Sequence, residues 1–543
     1  MLFFRPISAP FSLPLALGAL FSVSGCDQAQ GSLPEQPTPA PVATVAPNPA
    51  PSAALPSLPS TPPSLPSTPL ASSQAERRPP TDAVRVYAKT RHVWIRSMPQ
   101  GDVQWLGYMW WGGSVKARAE KPVFGAGCSK TWVPVEPRGW VCVDDEQATT
   151  NPEDEQLLAI YPYRPRLDSP WPHKYALTHA PLTKFPLAPS ELLQRMQERL
   201  YEAHFRAVKQ ARQVGNISNF PLHLGKLDPS LAGQDAPALP PLPRGLQESQ
   251  TKLVGRSALS FVDQFDVGDR SFLLTGDLGW VPKDRVELVP RYEFVGVELG
   301  SDWHLPLAFF RGHARPAYTR NAEGQFVEQP SAFARHAHVQ LTGEVEQVEG
   351  IKYYKIEGQE LWVNDHEAVV PTPSSTTPWG APVGQPDTTG QARVGRGTWI
   401  EASILGGWLV AFEGTVPKYA TMISAGRGGA PHPNKDPLET ASTPTGRFAI
   451  GGKFKTATME SSSSPIVHED VPWTQNFSGP HAIHSAYWHD DFGNLKSAGC
   501  VNVSPRDGKW LFEFTEPDVP EGWHGVRYVS RYGGGSTLFI VHE

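Results

Sequence analysis

Apolar and polar residues alternate in short runs over most of the chain, the period of half-buried strands rather than of helices. The first series fills residues 82–146. It comprises Val84-Arg85-Val86-Tyr87, Val93-Trp94-Ile95-Arg96-Ser97, Val103 to Trp111, Val115 to Ala117 and Gly139-Trp140-Val141-Cys142-Val143. Related endings return as Gly279-Trp280-Val281-Pro282-Lys283-Asp284 and Leu361-Trp362-Val363-Asn364-Asp365. They predict further small β modules within 249–370, closing near Val289 and Val370 as diverged copies of one unit. Each of these Trp residues is expected to fill the core of its own module.

One stretch departs from this pattern. After Pro189, Ser190 is a natural N-cap, and Leu192, Leu193, Met196, Leu200, His204 and Val208 recur at helical spacing until Gly215. The rest of 150–248 reads as irregular. From Pro371 the chain is rich in Pro, Thr, Ser and Gly, which predicts a linker over 371–392. Beyond it, Thr398 to Glu401, Gly407 to Phe412 and Val416 to Ser424 read as strands of a separate domain, 393–543, with a helix from Asp507 to Phe514.

Composition narrows the function. The 543 residues carry 48 Lys and Arg against 54 Asp and Glu, a net charge of −6, and no basic run that would neutralise a phosphate backbone. Nucleic acid is therefore not an expected partner. Residues 27–80 are a Pro-rich tether: Gly31 to Pro80 holds fifteen prolines in fifty residues. Such a segment buries no core and extends to roughly 150 Å as polyproline II. Ahead of it, Arg5 and the apolar run Leu13 to Val23 have the form of an export signal, too short to span a bilayer.

The four cysteines divide by chemistry. Val23-Ser24-Gly25-Cys26 resembles the lipobox of bacterial lipoproteins, which implies a signal over 1–26 and a diacylglyceryl anchor on Cys26, with Asp27 after it. In an oxidising compartment Cys128 and Cys142, fourteen apart on what read as neighbouring strands, are natural disulfide partners. Cys500 is left without a partner.

Around Cys500 the residues form a recognisable set. Thr443-Pro444-Thr445-Gly446 leads into a strand, His484-Ser485-Ala486-Tyr487-Trp488 follows, and then Ser497-Ala498-Gly499-Cys500-Val501-Asn502. A thiolate is the nucleophile and an imidazole can take its proton, so Cys500 and His484 supply a cysteine nucleophile and a general base. The backbone near Gly499 is a candidate oxyanion site, and a helix start beyond the cysteine would depress the thiol pKa. The alternative of His481, His484 and His489 with Asp490 as metal ligands fits no recognised zinc spacing, so no metal and no cofactor is expected.

In order and spacing this set resembles the L,D-transpeptidase (YkuD-type) catalytic domain, over roughly Arg393 to Glu543. Residues 82–146 are similar to bacterial SH3-like wall-associated domains. The resemblance implies a mainly β, multidomain protein: SH3-like β-barrel modules and a C-terminal β-sandwich with a short helix after the cysteine. It implies acyl transfer on peptidoglycan stem peptides through a Cys500 thioester, with release of D-Ala and formation of three-to-three cross-links. Ser485 would orient His484 through its carbonyl, while Ser497, Asn502 and Trp488 would contact substrate. Local turn capping is the competing role for Ser497 and Asn502, and scaffolding is favoured for Thr443 to Gly446. The family pattern Ser-His-Gly-Cys is broken by Ala498, with His481 and His489 as candidate substitutes. Water or a protein amine as acceptor, or a catalytically impaired wall-binding lipoprotein, are the competing functions. Any of these places the chain in the bacterial cell envelope, facing the periplasm or wall.

Overall fold

A computed structural model describes residues 78–214, 252–253, 255–391, 395–461, 464–528 and 535–543. The export signal, Cys26 and the tether up to residue 77 lie outside the described residues, as does Gly215. The described chain is mainly β, in several sheets, with no closed barrel.

The C-terminal domain is two sheets packed face to face. One sheet runs, in spatial order, Val297–Glu298, Val416–Met422, Trp408–Glu413, Thr398–Ser403, Leu538–His542, Gly446–Ala449. The other contains the long hairpin Gly452–Ser461/Ser464–Ser478, then the histidine strand His481–Ser485 and the strand Val501–Val503 that follows Cys500, the candidate nucleophile strand. Ile400, Leu409, Ala411 and Phe539 of the first sheet meet Ile483, Val501 and Val503 of the second, with Leu511 of the helix Pro505–Phe514. All are essentially inaccessible, so each of them except Ala411 contributes about 1.5–3 kcal/mol of burial. The domain is not continuous in sequence. Its first sheet takes an edge strand from residues 297–298, and the expected linker is packed onto it. The Ser374 backbone N–H and hydroxyl both donate to buried Glu401.

The N-terminal module is fused to this domain. Its strand Trp105–Met109 pairs with Gly525–Arg527, which pairs in turn with Gly452–Ser461, so one sheet runs from the module to the nucleophile strand. The tryptophan filling its core comes from the other end of the chain: Trp523 packs with Val86, Ile95, Leu106 and Val141, and its indole N–H donates to the Glu136 carbonyl. Trp140 and Trp280, expected to fill their own cores, are half-buried, whereas Trp362 is buried. Strand alternation shows which residues face inward but not which element covers them. Cys128 and Cys142 are joined by a disulfide.

The middle of the chain forms two further β units. In the first, Lys174–Thr178, from the stretch expected to be irregular, pairs with Ala258–Val267, which meets the long hairpin at Ala258 and His468. The second is a seven-stranded sheet from Leu307 to Val369 with its own core around Phe310, Leu341 and Val363.

The helix Glu191–Val214 forms as expected, Ser190 Oγ accepting the Leu193 N–H, but it docks through a different face. Gln194, Gln197 and Glu198 are buried, with Arg270 donating to Gln194 and Arg285 paired to Glu198. Leu192 and Met196 are exposed. The docking partner presents arginines, so the polar stripe is the complementary one.

A buried charge network ties these parts together. Arg91 of the N-terminal module pairs with Asp470 of the long hairpin at 2.5 Å, and Ser260 of the middle unit donates to the same carboxylate. Beside it Lys184 bridges Asp277 at 2.8 Å and Glu469 at 2.5 Å.

Candidate active site

The histidine and nucleophile strands run parallel, with Ile483 beside Val501, His484 beside Asn502 and Ser485 beside Val503. Ile483, Val501 and Val503 point into the core. By strand alternation Ala482 and His484, and Asn502 with Cys500 just ahead of its strand, share the opposite face. Cys500 and His484 are thus diagonal neighbours on one face, sixteen positions apart in sequence. No hydrogen bond joins them in this resting state.

His484 is 3 % exposed, and its Nδ1–H donates to the Ser485 carbonyl at 3.2 Å. That bond places the proton on Nδ1 and leaves Nε2 as the basic atom. Burial pushes its pKa down to about 4, opposed by the Ser485 bond. Burial pushes the Cys500 thiol up to about 11, against a hydrogen bond from the Ala482 backbone. At neutral pH the pair is therefore thiol and imidazole, not thiolate and imidazolium.

The expected help from a helix N-terminus is absent. The helix begins at Pro505, and its cap Ser504 lies beyond the nucleophile strand, about 13 Å along an extended chain from Cys500. A terminal dipole acts over the first turn only.

Gly499 has φ +124°, and an added Cβ would stand 2.9 Å from both His481 Nε2 and the Ser442 carbonyl, so only glycine fits. Its N–H, expected as an oxyanion donor, is already given to Ser497 Oγ at 3.0 Å. Ser497 in turn donates to the Cys500 carbonyl at 2.5 Å and is 7 % exposed. Through these two bonds it clamps the turn that carries Cys500. The Thr443 hydroxyl accepts the Gly426 N–H beside this loop and lies 3.5 Å from the Cys500 carbonyl, to which it donates.

Asn502 faces His489, with its amide nitrogen 3.0 Å from Nε2. The Asp491 N–H donates to His489 Nδ1, so Nε2 carries the ring proton. The amide orientation that presents Oδ1 to that proton satisfies both groups. Asn502 is 2 % exposed and bonds Ser424 through both backbone groups. It therefore braces the site.

Trp488 is half-buried, 5.7 Å from the His484 ring, and lies flat against His468 at 4.0 Å. His468, on the long hairpin, has no motif around it in sequence; only pairing of the hairpin with the histidine strand brings it here. The loop between His484 and Cys500 is held from the Leu307–Val369 unit, where Arg311 donates to the Gly493 carbonyl and Arg335 pairs with Asp490. His481 lies beside Gly499, its Nδ1–H donated to the Ser478 carbonyl and its Nε2 buried without a partner. Ala498 is exposed. No cluster suited to a metal ion occurs among the described residues.

Nine histidines are held below their ordinary pKa, chiefly by burial: His484, His489, His92 and His336 to about 4 and His468 to about 3, with His173, His338, His481 and His524 also lowered. An unfolded histidine takes its proton near pH 6.5, so between that value and about 4 the unfolded chain binds more protons. Stability is then full above pH 6.5 and is lost as pH falls, by about 3 kcal/mol for His484 alone. Glu469, raised to about 7 by burial, acts in the opposite direction, as do Glu367, Asp490 and Asp507, also raised by burial, but these are four groups against nine. Urea midpoints measured from pH 8 to pH 4 are expected to fall steeply below 6.5; a flat profile would contradict this burial.

Residues 398–522 match the family model described as the YkuD L,D-transpeptidase catalytic domain. Among solved structures, an L,D-transpeptidase from Enterococcus faecium is 21% identical, covering 27% of this chain and 50% of that one, with a TM-score of 0.20. One from Xylanimonas cellulosilytica is 19% identical over 28% of this chain and 63% of its own, TM-score 0.19. One from Mycobacterium smegmatis is 14% identical over 42% and 77%, TM-score 0.20. The chain thus spans about half the length of the first of these. No curated protein matches the chain.

Proposed function

We propose, on the premise that residues 398–522 are a YkuD-type L,D-transpeptidase catalytic domain, that this protein transfers acyl groups between peptidoglycan stem peptides through Cys500. The observation that carries the reading is the pairing of the two strands. It sets Cys500 and a tautomer-locked His484 on one face, within the matched residues.

In the proposed reaction Cys500 Sγ attacks the carbonyl joining the third stem residue to D-Ala, and the thiol proton passes to His484 Nε2. With the Gly499 N–H engaged, the oxyanion falls to the Cys500 N–H. Collapse breaks the peptide bond, D-Ala leaves with the proton from His484, and a thioester remains. The amine of a second stem resolves it into a three-to-three cross-link and frees the thiol. Both resting partners are neutral, so proton transfer accompanies attack. A lipid on Cys26 and the 27–80 tether are proposed to hold the domain within reach of the wall, with the N-terminal SH3-like module against it.

Water or a protein amine as acceptor leaves the first half-reaction unchanged. Ala498 in place of the family histidine favours a slower second half-reaction. Intact-mass analysis of the protein incubated with a tetrapeptide-stem muropeptide separates these. The expected result is a mass gain of the stem less D-Ala, together with a dimeric product. A tripeptide product alone would make the protein a carboxypeptidase, and an unchanged protein and muropeptide would sink the enzymatic reading.

A further inference from the structure

The candidate base has a cover built from a distant part of the chain. The Trp488 ring lies 5.7 Å from the His484 ring, and its face is met by His468 at 4.0 Å with the two planes only 5° apart. We propose that His468 is a positioning residue of the acyl-transfer site, its ring holding Trp488 against the His484 imidazole so that water is kept from the base.

Two observations carry this. First, the stack is held in register by the chain on both sides of it. Tyr487, the residue before Trp488, donates its hydroxyl to the carbonyl of Glu469, the residue after His468, at 2.7 Å. The His468 backbone is paired with Met459 across the hairpin and with Ala258 of the middle unit. Lys184 and Arg91 then hold the next two side chains, Glu469 and Asp470. Pinned at 468–470 by other parts of the chain, the hairpin cannot carry His468 away from Trp488 without breaking buried pairs.

Second, the acidity of His484 is set by water exclusion, with no charge in the balance. Burial lowers it, and only the Ser485 bond opposes that. The titratable groups around it are Cys500 on the neighbouring strand, His489 on the following loop and His468 on the hairpin, and burial keeps all three uncharged at neutral pH. Water admitted beside the ring would therefore return His484 toward its ordinary value. His468, held down to about 3, stays neutral and acts as a ring, not as an acid or base. Another aromatic ring should replace it, and a small side chain should not.

The role of His484 as base rests on the proposed function, whereas its shielding does not. The test is histidine-ring NMR of the full chain, the His484 signal being identified by its loss in His484→Gln, with the pH dependence of carbapenem acylation at Cys500 followed in parallel. In the wild type His484 is expected not to titrate between pH 5 and 8. In His468→Ala its midpoint should rise by about one pH unit or more, and in His468→Phe it should not move. Trp488→Leu removes the same cover from its other partner and should also raise the midpoint. The acid limb of the acylation rate should move in the same order. A wild-type His484 that titrates near 6.5 overturns the proposal without any variant. So does an unmoved midpoint in His468→Ala or Trp488→Leu, or an equal rise in His468→Ala and His468→Phe. The expected NMR shifts with no acylation in any sample keep the shielding of His484 and remove the transpeptidase; acylation with one acid limb in all samples removes the role of His468 alone.

Discussion

Replacing Cys500 with serine is expected to abolish covalent capture of a carbapenem, with a rate loss of about 10⁴-fold or more. The reason is in the resting acidities. With the thiol pushed up to about 11 and His484 down to about 4, the histidine accepts a proton only as the sulfur–carbon bond forms. A serine hydroxyl is a far weaker acid, and a base this weak does not activate it. The wild-type rate should rise as pH increases through about 4, where His484 loses its proton, and then stay level through neutrality, because neither partner titrates there. Mass spectrometry of the adduct and its rate at several pH values checks both statements. Acylation at the wild-type rate in Cys500→Ser would end the assignment, and a bell-shaped profile centred near neutrality would show a preformed ion pair instead.

The second large effect is structural. Asp470→Asn should cost about 3 kcal/mol, because it takes the hydrogen-bonded carboxylate away from Arg91, whose side chain is 21 % exposed, and leaves it only the more distant Asp277 and Glu469. Asp470 is 1 % exposed, has φ +44° and takes bonds from Arg91 and Ser260. Asparagine tolerates that backbone conformation and nearly the same volume, so the change isolates the charge. The double variant Arg91→Met/Asp470→Asn should recover much of the loss, since the cation is then gone. Urea midpoints of the wild type, both single variants and the double variant measure the coupling. A loss below about 1 kcal/mol in Asp470→Asn would place the pair in the class of solvent-screened surface bridges.

The alternating runs and the Cys500 motif were legible because they are local. Period-2 patterning follows from the pleat, so strands such as Val93–Arg96, Thr398–Ser403 and Trp408–Glu413 stand where the sequence places them. The post-nucleophile helix is legible too, with Ser504 accepting the Asp507 N–H as its cap. Local signals were silent on partners. Nothing near Leu192 says that Gln194 and Glu198, not the apolar stripe, meet the neighbouring arginines. Nothing near Trp140 says that the module's core is closed by Trp523.

The candidate site divides in the same way. Cys500, His484 and the carbonyl of Ser485 are bound by chain proximity and strand geometry, so their residue types and spacing already carry the chemistry. The roles of Gly499, Ser497 and Asn502 turn on which hydrogen-bond partner arrives first, and the partners lie at Ser497, Cys500 and His489 in a folded loop. His468, Arg311 and Arg335 reach the site from strands far away in sequence. The sequence by itself determined the β class and pointed to Cys500 and His484 as candidate nucleophile and base, because backbone period and acid–base chemistry belong to single residues and near neighbours. Tertiary structure alone decided the acidities of that pair, the fused sheet and the buried charge network, because desolvation and cross-chain pairing depend on what is packed around a group.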